Sequence, residues 1–202
     1  MNSVEQTYHA LSLTPSDINE HLPILKRYAE ECDHITEMGV RWVVSTFAFA
    51  VAKPNTFVSI DIIDPRSDFE NWNSFWQSGQ KLNDIIQYCA ENNVNYSFVL
   101  GDTTKITINE TDLLFIDTLH EYEQIKKELH LHGNKSRKYI IFHDTECFKF
   151  RNERNPDVYG KSNEDKLGIV PAIEEFLQLN PHWKVHEVFT NCNGLTVLKR
   201  NH

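Results

Sequence analysis

At 202 residues the chain has the length of one domain with a sizeable core. Its net charge of −9, with no basic run, excludes a nucleic-acid-binding surface, and 40% hydrophobic against 24% charged residues is ordinary for a soluble globular protein. Four scattered cysteines without a C-x-x-C pair exclude a cysteine metal cluster or a disulfide framework, and with a polar N-terminus and no membrane-length apolar run they point to the cytoplasm.

The chain reads as a single domain, 1–202, whose first 33 residues are a helical lead-in. Met1 to Leu13 is weakly patterned. Thr14-Pro15-Ser16-Asp17 predicts a helix start, with Thr14 as N-cap and Pro15 at the first helical position. Ile18, Leu22, Leu25, Ala29 and Cys32 follow on one helical face, and Pro23 either kinks that helix or marks its true beginning. A short strand then ends at Glu37-Met38-Gly39, Ser45-Thr46 opens a helix, and Thr56 to Ile63 is a second strand carrying Asp61, 22 positions after Gly39. This strand–turn–helix–strand layout is one that open parallel sheets use for an adenosine cofactor. Gly39 lets the backbone approach the ligand, and the acid can take both ribose hydroxyls.

A tryptophan-bearing loop (Trp72, Trp76) leads to a helix running to about Asn93, with Leu82, Ile85, Ile86, Cys89 and Ala90 inward. Tyr96 to Leu100, Asp112 to Ile116 and Tyr139 to Phe142 read as strands, the last two as runs buried on both faces, with Tyr122 to Leu131 helical between them. A long charged loop, Glu146 to Asn163, precedes a helix from Asp165 to Leu179. Trp183 to Phe189 and Leu195 to Leu198 lack a helix between them and should pair as a hairpin. The expected fold is α/β: a Rossmann-like, doubly wound sheet of about seven strands, mostly parallel, with the last antiparallel.

Asp61, Asp102, Asp117, His120, His143 and Asp144 all fall at or just past strand C-termini, the rim where such sheets bind ligands. Taken singly, each reads as a cap or a turn residue; six on one rim point to chemistry. Asp117 and Asp144 end neighbouring strands, a placement that suits a hard divalent cation such as Mg²⁺ or Mn²⁺. The alternative is that one aspartate touches a cofactor and the other is structural. His120 or His143 is a candidate proton acceptor, since imidazole titrates near neutrality.

The segments EMGVRWVVST, VSIDIID, LGDTT, DLLFIDTLHEYE, YIIFHDT and NCNGLTVL resemble, in order, the class I S-adenosylmethionine-dependent methyltransferases, closest to the small branch related to sugar O-methyltransferases and cephalosporin hydroxylase-like proteins. The resemblance spans Asp17 to Arg200 and implies a seven-stranded sheet with its last strand antiparallel. It implies that Glu37, Gly39 and Ser45 border the methionine part of the cofactor, that Asp61 binds the ribose, and that Asp102 with Thr103 lies by the adenine. Asp117 and Asp144 would be the metal pair, with His143 and His120 beside the acceptor. The chain departs from the pattern at Val43, where a second glycine is usual, and at Thr118-Leu119, where the commoner motif carries glycine and a further acid.

The expectation is therefore an O-methyltransferase using S-adenosylmethionine, with or without a divalent metal, on a hydroxyl of a small molecule, sugar or glycan. No nucleic acid or membrane is involved, and the oligomeric state is left open. A nicotinamide enzyme is disfavoured because G-x-G-x-x-G is absent. A metal-dependent hydroxylase-like enzyme would use the same acids. A non-catalytic binding module is favoured by Val43 and opposed by the retained rim residues.

Overall fold

The computed structural model describes residues 3–67, 77–153 and 167–201. Their helices are α1 (Val4–Leu13), α2 (Leu22–Ala29), α3 (Ser45–Val51), α4 (Ser78–Glu91), α5 (Tyr122–His132) and α6 (Ile169–Leu179). The strands are β1 (His34–Met38), β2 (Thr56–Asp61), β3 (Asn95–Leu100), β4 (Thr111–Ile116), β5 (Ser136–His143), β6 (Trp183–Phe189) and β7 (Leu195–Arg200).

These seven strands form one sheet in the order β3-β2-β1-β4-β5-β7-β6. β7 runs antiparallel to both β5 and β6, so six strands are parallel and one is reversed. The expected hairpin is thus observed, and it inserts its second strand between β5 and β6. β4 shows why the centre is double-faced. Leu113 and Phe115 point into the core cluster shared with α1 to α4, while Leu114 and Ile116 point into the cluster with α5 and α6. Strand order reverses between β1 and β4, so the residues following these two strands flank the crevice where open α/β sheets bind ligands.

Local chemistry moves several boundaries. The first segment is a helix, because Ser3 and Gln6 form a capping box: the Gln6 N–H donates to Ser3 Oγ (3.2 Å) and the Ser3 N–H to Gln6 Oε1 (2.9 Å). Thr14 is therefore the C-cap of α1 and not the N-cap of the next helix. From Ser16 the chain forms side-chain-bonded turns: Ser16 Oγ accepts from the Ile18 and Asn19 N–H groups, and Asn19 Oδ1 accepts from the Ser16 N–H. α2 begins at Leu22 with Pro23 in its first turn, the second of the two readings of that proline.

β2 stops at Asp61 because its Oδ1 accepts the Ile63 N–H and turns the chain. On α4, Ile86 and Ala90 are exposed, and Tyr88 packs inward instead, donating to Glu5 Oε1 of α1 at 2.7 Å. α6 starts at Ile169, directly after Gly168; the expected start at Asp165, the loop beyond Glu153, and Trp72 and Trp76 lie outside the described residues. All four cysteines are unbridged. Among the described residues no helix is long and apolar enough to cross a membrane.

Candidate active site

The C-terminal ends of β1 to β4, with the turn after β5, open onto a cleft of about 460 Å³, a size typical of small-molecule sites. One wall is the turn after β1. Gly39 has φ +87°, and Arg41 and Val43 are also left-handed, at +41° and +57°. A β-branched residue rarely adopts that conformation. Val43 is fully buried, and the apolar burial of its side chain offsets the local strain. The Arg41 guanidinium lies 4.0 Å over the Trp42 ring, and both residues line the cleft.

Asp61 organises this turn. Its Oδ2 accepts the Val40 N–H (2.7 Å) and the Arg41 N–H (2.9 Å), and its Oδ1 the Ile63 N–H (2.9 Å). An ionised carboxylate has about four acceptor positions, so one remains for a ligand hydroxyl. Ser45, at the start of α3, lines the cleft and donates to Glu37 Oε1 at 2.6 Å. Glu37 itself lies behind it, fully buried, and also accepts from Thr46 and Ser59. Burial pushes its carboxyl up to about 7, against the pull of these hydroxyls.

The opposite wall carries Asp102 and Thr103. The Lys105 ammonium and the Thr104 hydroxyl and N–H hold the Asp102 carboxyl down at about 2. The Thr103 hydroxyl turns away from the cleft and donates to Glu128 of α5. Glu128 also accepts from Thr118 (2.9 Å) and Gln124 (2.8 Å), and burial pushes its carboxyl up to about 7. His132, one turn on, meets the Thr103 carbonyl at 2.8 Å. A polar stripe on the inner face of α5 thus grips the loops after β3 and β4.

At the remaining end Asp117, His120 and Asp144 converge. His120 Nε2 is 3.2 Å from Asp117 Oδ1 and 3.2 Å from Asp144 Oδ2, and its Nδ1 is 2.6 Å from Glu153 Oε2. His143 sits beneath: Nδ1 is 3.5 Å from Asp117 and 3.4 Å from Asp144, while Nε2 meets the carbonyls of Asp17 (3.1 Å) and Cys192 (3.2 Å). Burial works against charging either ring, but the surrounding carboxylates prevail, lifting His120 to about 10 and His143 to about 9. The carboxylates around each ring thus favour its protonated form and outweigh the effect of burial. Burial alone would raise the Asp117 carboxyl; the two imidazolium rings hold it well below the usual carboxylate range.

Gly39, Ser45, Asp61, Asp102 and Thr103 thus border the cleft, as do Asp117, His120 and Asp144. Glu37 and His143 stand one layer behind, acting through Ser45 and through the two aspartates. Sequence reasoning did not reach Asp17 and Ile18, which close the cleft from the N-terminal segment, nor Glu128 and Glu153. Glu128 had a signal: it shares a helix face with Ile125 and Leu129, a polar residue in an apolar stripe. Glu153 sits in a charged loop and had none.

No protein-family profile and no curated protein matches this sequence. Solved structures do match in fold. A putative caffeoyl-CoA O-methyltransferase from Staphylococcus aureus aligns over 100% of this chain and 93% of its own, with a TM-score of 0.59 and 14% identity. An O-methyltransferase from Bacillus cereus in complex with S-adenosylhomocysteine aligns over 98% and 89%, with a TM-score of 0.58 and 16% identity. TomG, an O-methyltransferase from Streptomyces achromogenes involved in tomaymycin synthesis and solved with S-adenosylmethionine, aligns over 98% and 86%, with a TM-score of 0.54 and 14% identity. At these identities the likeness is one of architecture, and the architecture of this chain is the Rossmann-like methyltransferase fold.

Proposed function

We propose that this chain is an S-adenosylmethionine-dependent O-methyltransferase. The observation that carries the reading is the convergence, in one cleft at the switch point, of the Gly39 turn, Asp61, Asp102 and the Asp117/His120/Asp144 cluster. The solved structures that share the fold include O-methyltransferases with S-adenosylhomocysteine or S-adenosylmethionine bound. The cleft is also lined by Asp17, Asp61, Asp102, Asp117, Asp144 and Glu153, a surplus of carboxylates that suits a sulfonium cation.

In this reading Asp61 holds the ribose with its remaining acceptor position while shaping the glycine turn around the donor. Asp102 and the backbone at Thr103 border the adenine, and Ser45, backed by Glu37, borders the methionine end. The acceptor hydroxyl, which we place on a sugar or glycan, lies against Asp117, His120 and Asp144. Its oxygen attacks the methyl carbon, the carbon–sulfur bond breaks with its electron pair left on sulfur, and the hydroxyl proton passes to the carboxylate cluster. Since the methyl group is already activated, the protein mainly supplies orientation and a proton acceptor. The donor set also fits a divalent cation: one Asp144 oxygen is buried with no hydrogen-bond partner among the described residues. Asp117 and Asp144 would hold such an ion, which would supply a lowered pKa for the acceptor hydroxyl.

The roles separate by mutation. Asp61→Ala is expected to weaken S-adenosylhomocysteine binding by about tenfold or more, about 1.4 kcal/mol, whereas Asp144→Ala leaves that affinity unchanged and lowers methyl transfer by about 100-fold. Calorimetric titration with S-adenosylhomocysteine, with and without Mn²⁺, is the direct check. Absence of binding by the wild-type chain in both conditions would leave a methyltransferase-like binding module as the better description.

A further inference from the structure

Asp117, His120 and Asp144 each offer one donor atom, all within 4.8 Å of one another. Four features show that these atoms are aimed and not merely adjacent. Glu153 Oε2 takes both the His120 N–H (3.2 Å) and its ring Nδ1 (2.6 Å), which assigns the proton to Nδ1 and leaves Nε2 facing the two aspartates at equal distance. The His120 ring is locked by face-to-face stacking on Phe148, 4.8 Å between centroids and 4° between planes. Asp144 occupies a left-handed backbone conformation, φ +60°, that turns its carboxylate into the cluster. Its side chain is 9% exposed, and Oδ1, which makes no hydrogen bond among the described residues, faces the His143 ring nitrogen at 3.4 Å. A buried carboxylate beside an oriented ring nitrogen is a donor set that suits a metal ion.

We propose that His120 is a metal ligand, completing with Asp117 and Asp144 a nitrogen-and-oxygen centre for a divalent transition ion, with Glu153 as its positioning residue. This deepens the proposed function by naming the class of ion. Two carboxylates alone would suit Mg²⁺, a hard cation that prefers oxygen; an imidazole in the set shifts preference toward Mn²⁺ and the later transition ions. It also removes His120 from the proton-acceptor role, since both of its ring nitrogens are engaged. His143 closes the centre from the buried side, its Nδ1 within 3.5 Å of both aspartates.

The test uses the full chain and the bare ions. Calorimetric titration is expected to show Mn²⁺ binding at least about tenfold more tightly than Mg²⁺. Pulsed electron paramagnetic resonance of the Mn²⁺-loaded protein is expected to show ¹⁴N modulation from a directly bound imidazole. His120→Gln should abolish the modulation and weaken Mn²⁺ binding beyond the 10–100-fold loss expected of Glu153→Gln, a variant in which the modulation persists. Thermal unfolding of each metal-free variant reports whether it folds; if His120→Gln does not, the wild-type modulation decides. Mn²⁺ bound without ¹⁴N modulation, equal affinity for Mg²⁺, or no binding of either ion overturns the proposal. Titration of the same protein with S-adenosylhomocysteine keeps the two readings apart. Cofactor binding without Mn²⁺ binding sinks the metal centre alone, and Mn²⁺ binding without cofactor binding sinks methyl transfer alone.

Discussion

Gly39→Ala is expected to destabilise the protein by about 4 kcal/mol or more and to abolish cofactor binding. A Cβ at this position would lie 1.9 Å from the Asp117 carbonyl oxygen and 2.6 Å from its carbon, and the backbone is at φ +87°. Neither neighbour can yield cheaply. The Gly39 N–H donates to the Ile60 carbonyl (2.9 Å) on one side, and the Asp117 N–H donates to the Met38 carbonyl (2.8 Å) on the other. The ends of β1 and β4 are therefore laced together where the Cβ would force them apart. Left-handed strain of about 1–2 kcal/mol adds to the lost hydrogen bonds, each worth about 1 kcal/mol, and to the displaced backbone. For a chain of this size the melting temperature should fall by roughly 8–16 °C. Gly101→Ala is the control: its nearest neighbour is the flexible Ile106 side chain at 3.2 Å, and its cost should stay within about 1 kcal/mol. Equal melting temperatures for the two variants would disprove the steric account.

The second large effect is one of pH. Glu37 and Glu128 are fully buried, and burial lifts both from an ordinary 4.5 to about 7. Because the folded-state value is the higher one, the folded protein holds these protons more tightly than the unfolded chain. The stability they contribute is complete below about pH 4.5 and is lost as pH rises through about 7. Each carboxyl accounts for roughly 3 kcal/mol across that window. Glu128→Gln keeps the shape and removes the titration. Urea unfolding should find the variant close to wild type at pH 5 and more stable by roughly 2–3 kcal/mol at pH 8. The comparison between variant and wild type cancels the contribution of the His120 and His143 cluster. A difference that does not change between the two pH values would show that Glu128 stays ionised throughout.

The fold was legible because its signals are periodic or punctuated. The buried runs at Leu113–Ile116 and Tyr139–Phe142, the alternation with helices and the helix-less final pair led to the observed sheet, reversed strand included. What the sequence hid was decided by single side chains acting on nearby backbone. Ser3 and Gln6 made a helix of a weak pattern, Ser16 and Asn19 replaced the expected α-helical start with side-chain-bonded turns and a short 3-10 turn over Asn19–His21, and Asp61 cut β2 short. The rim residues were legible because each lies at a strand end. Their protonation was not, because it depends on Glu153 and on which carboxylates face each ring across the fold. Tyr88 displaced Ile86 and Ala90 for a related reason: its hydroxyl found Glu5 on another helix.

The Nε2 of His143 reaches carbonyls 126 residues away at Asp17 and 49 residues away at Cys192. A single ring thus ties the segment before α2 and the turn before β7 to the end of β5 at one point. Contacts of such sequence separation carry a large entropic penalty and tend to form late. During refolding, the helical signal should recover before the cleft does, and a chain whose sheet is complete but whose ends are not yet docked would hold its charges without a fixed geometry. Ligand binding in this protein is therefore a report on the completeness of the whole chain, and not only on the rim that touches the ligand.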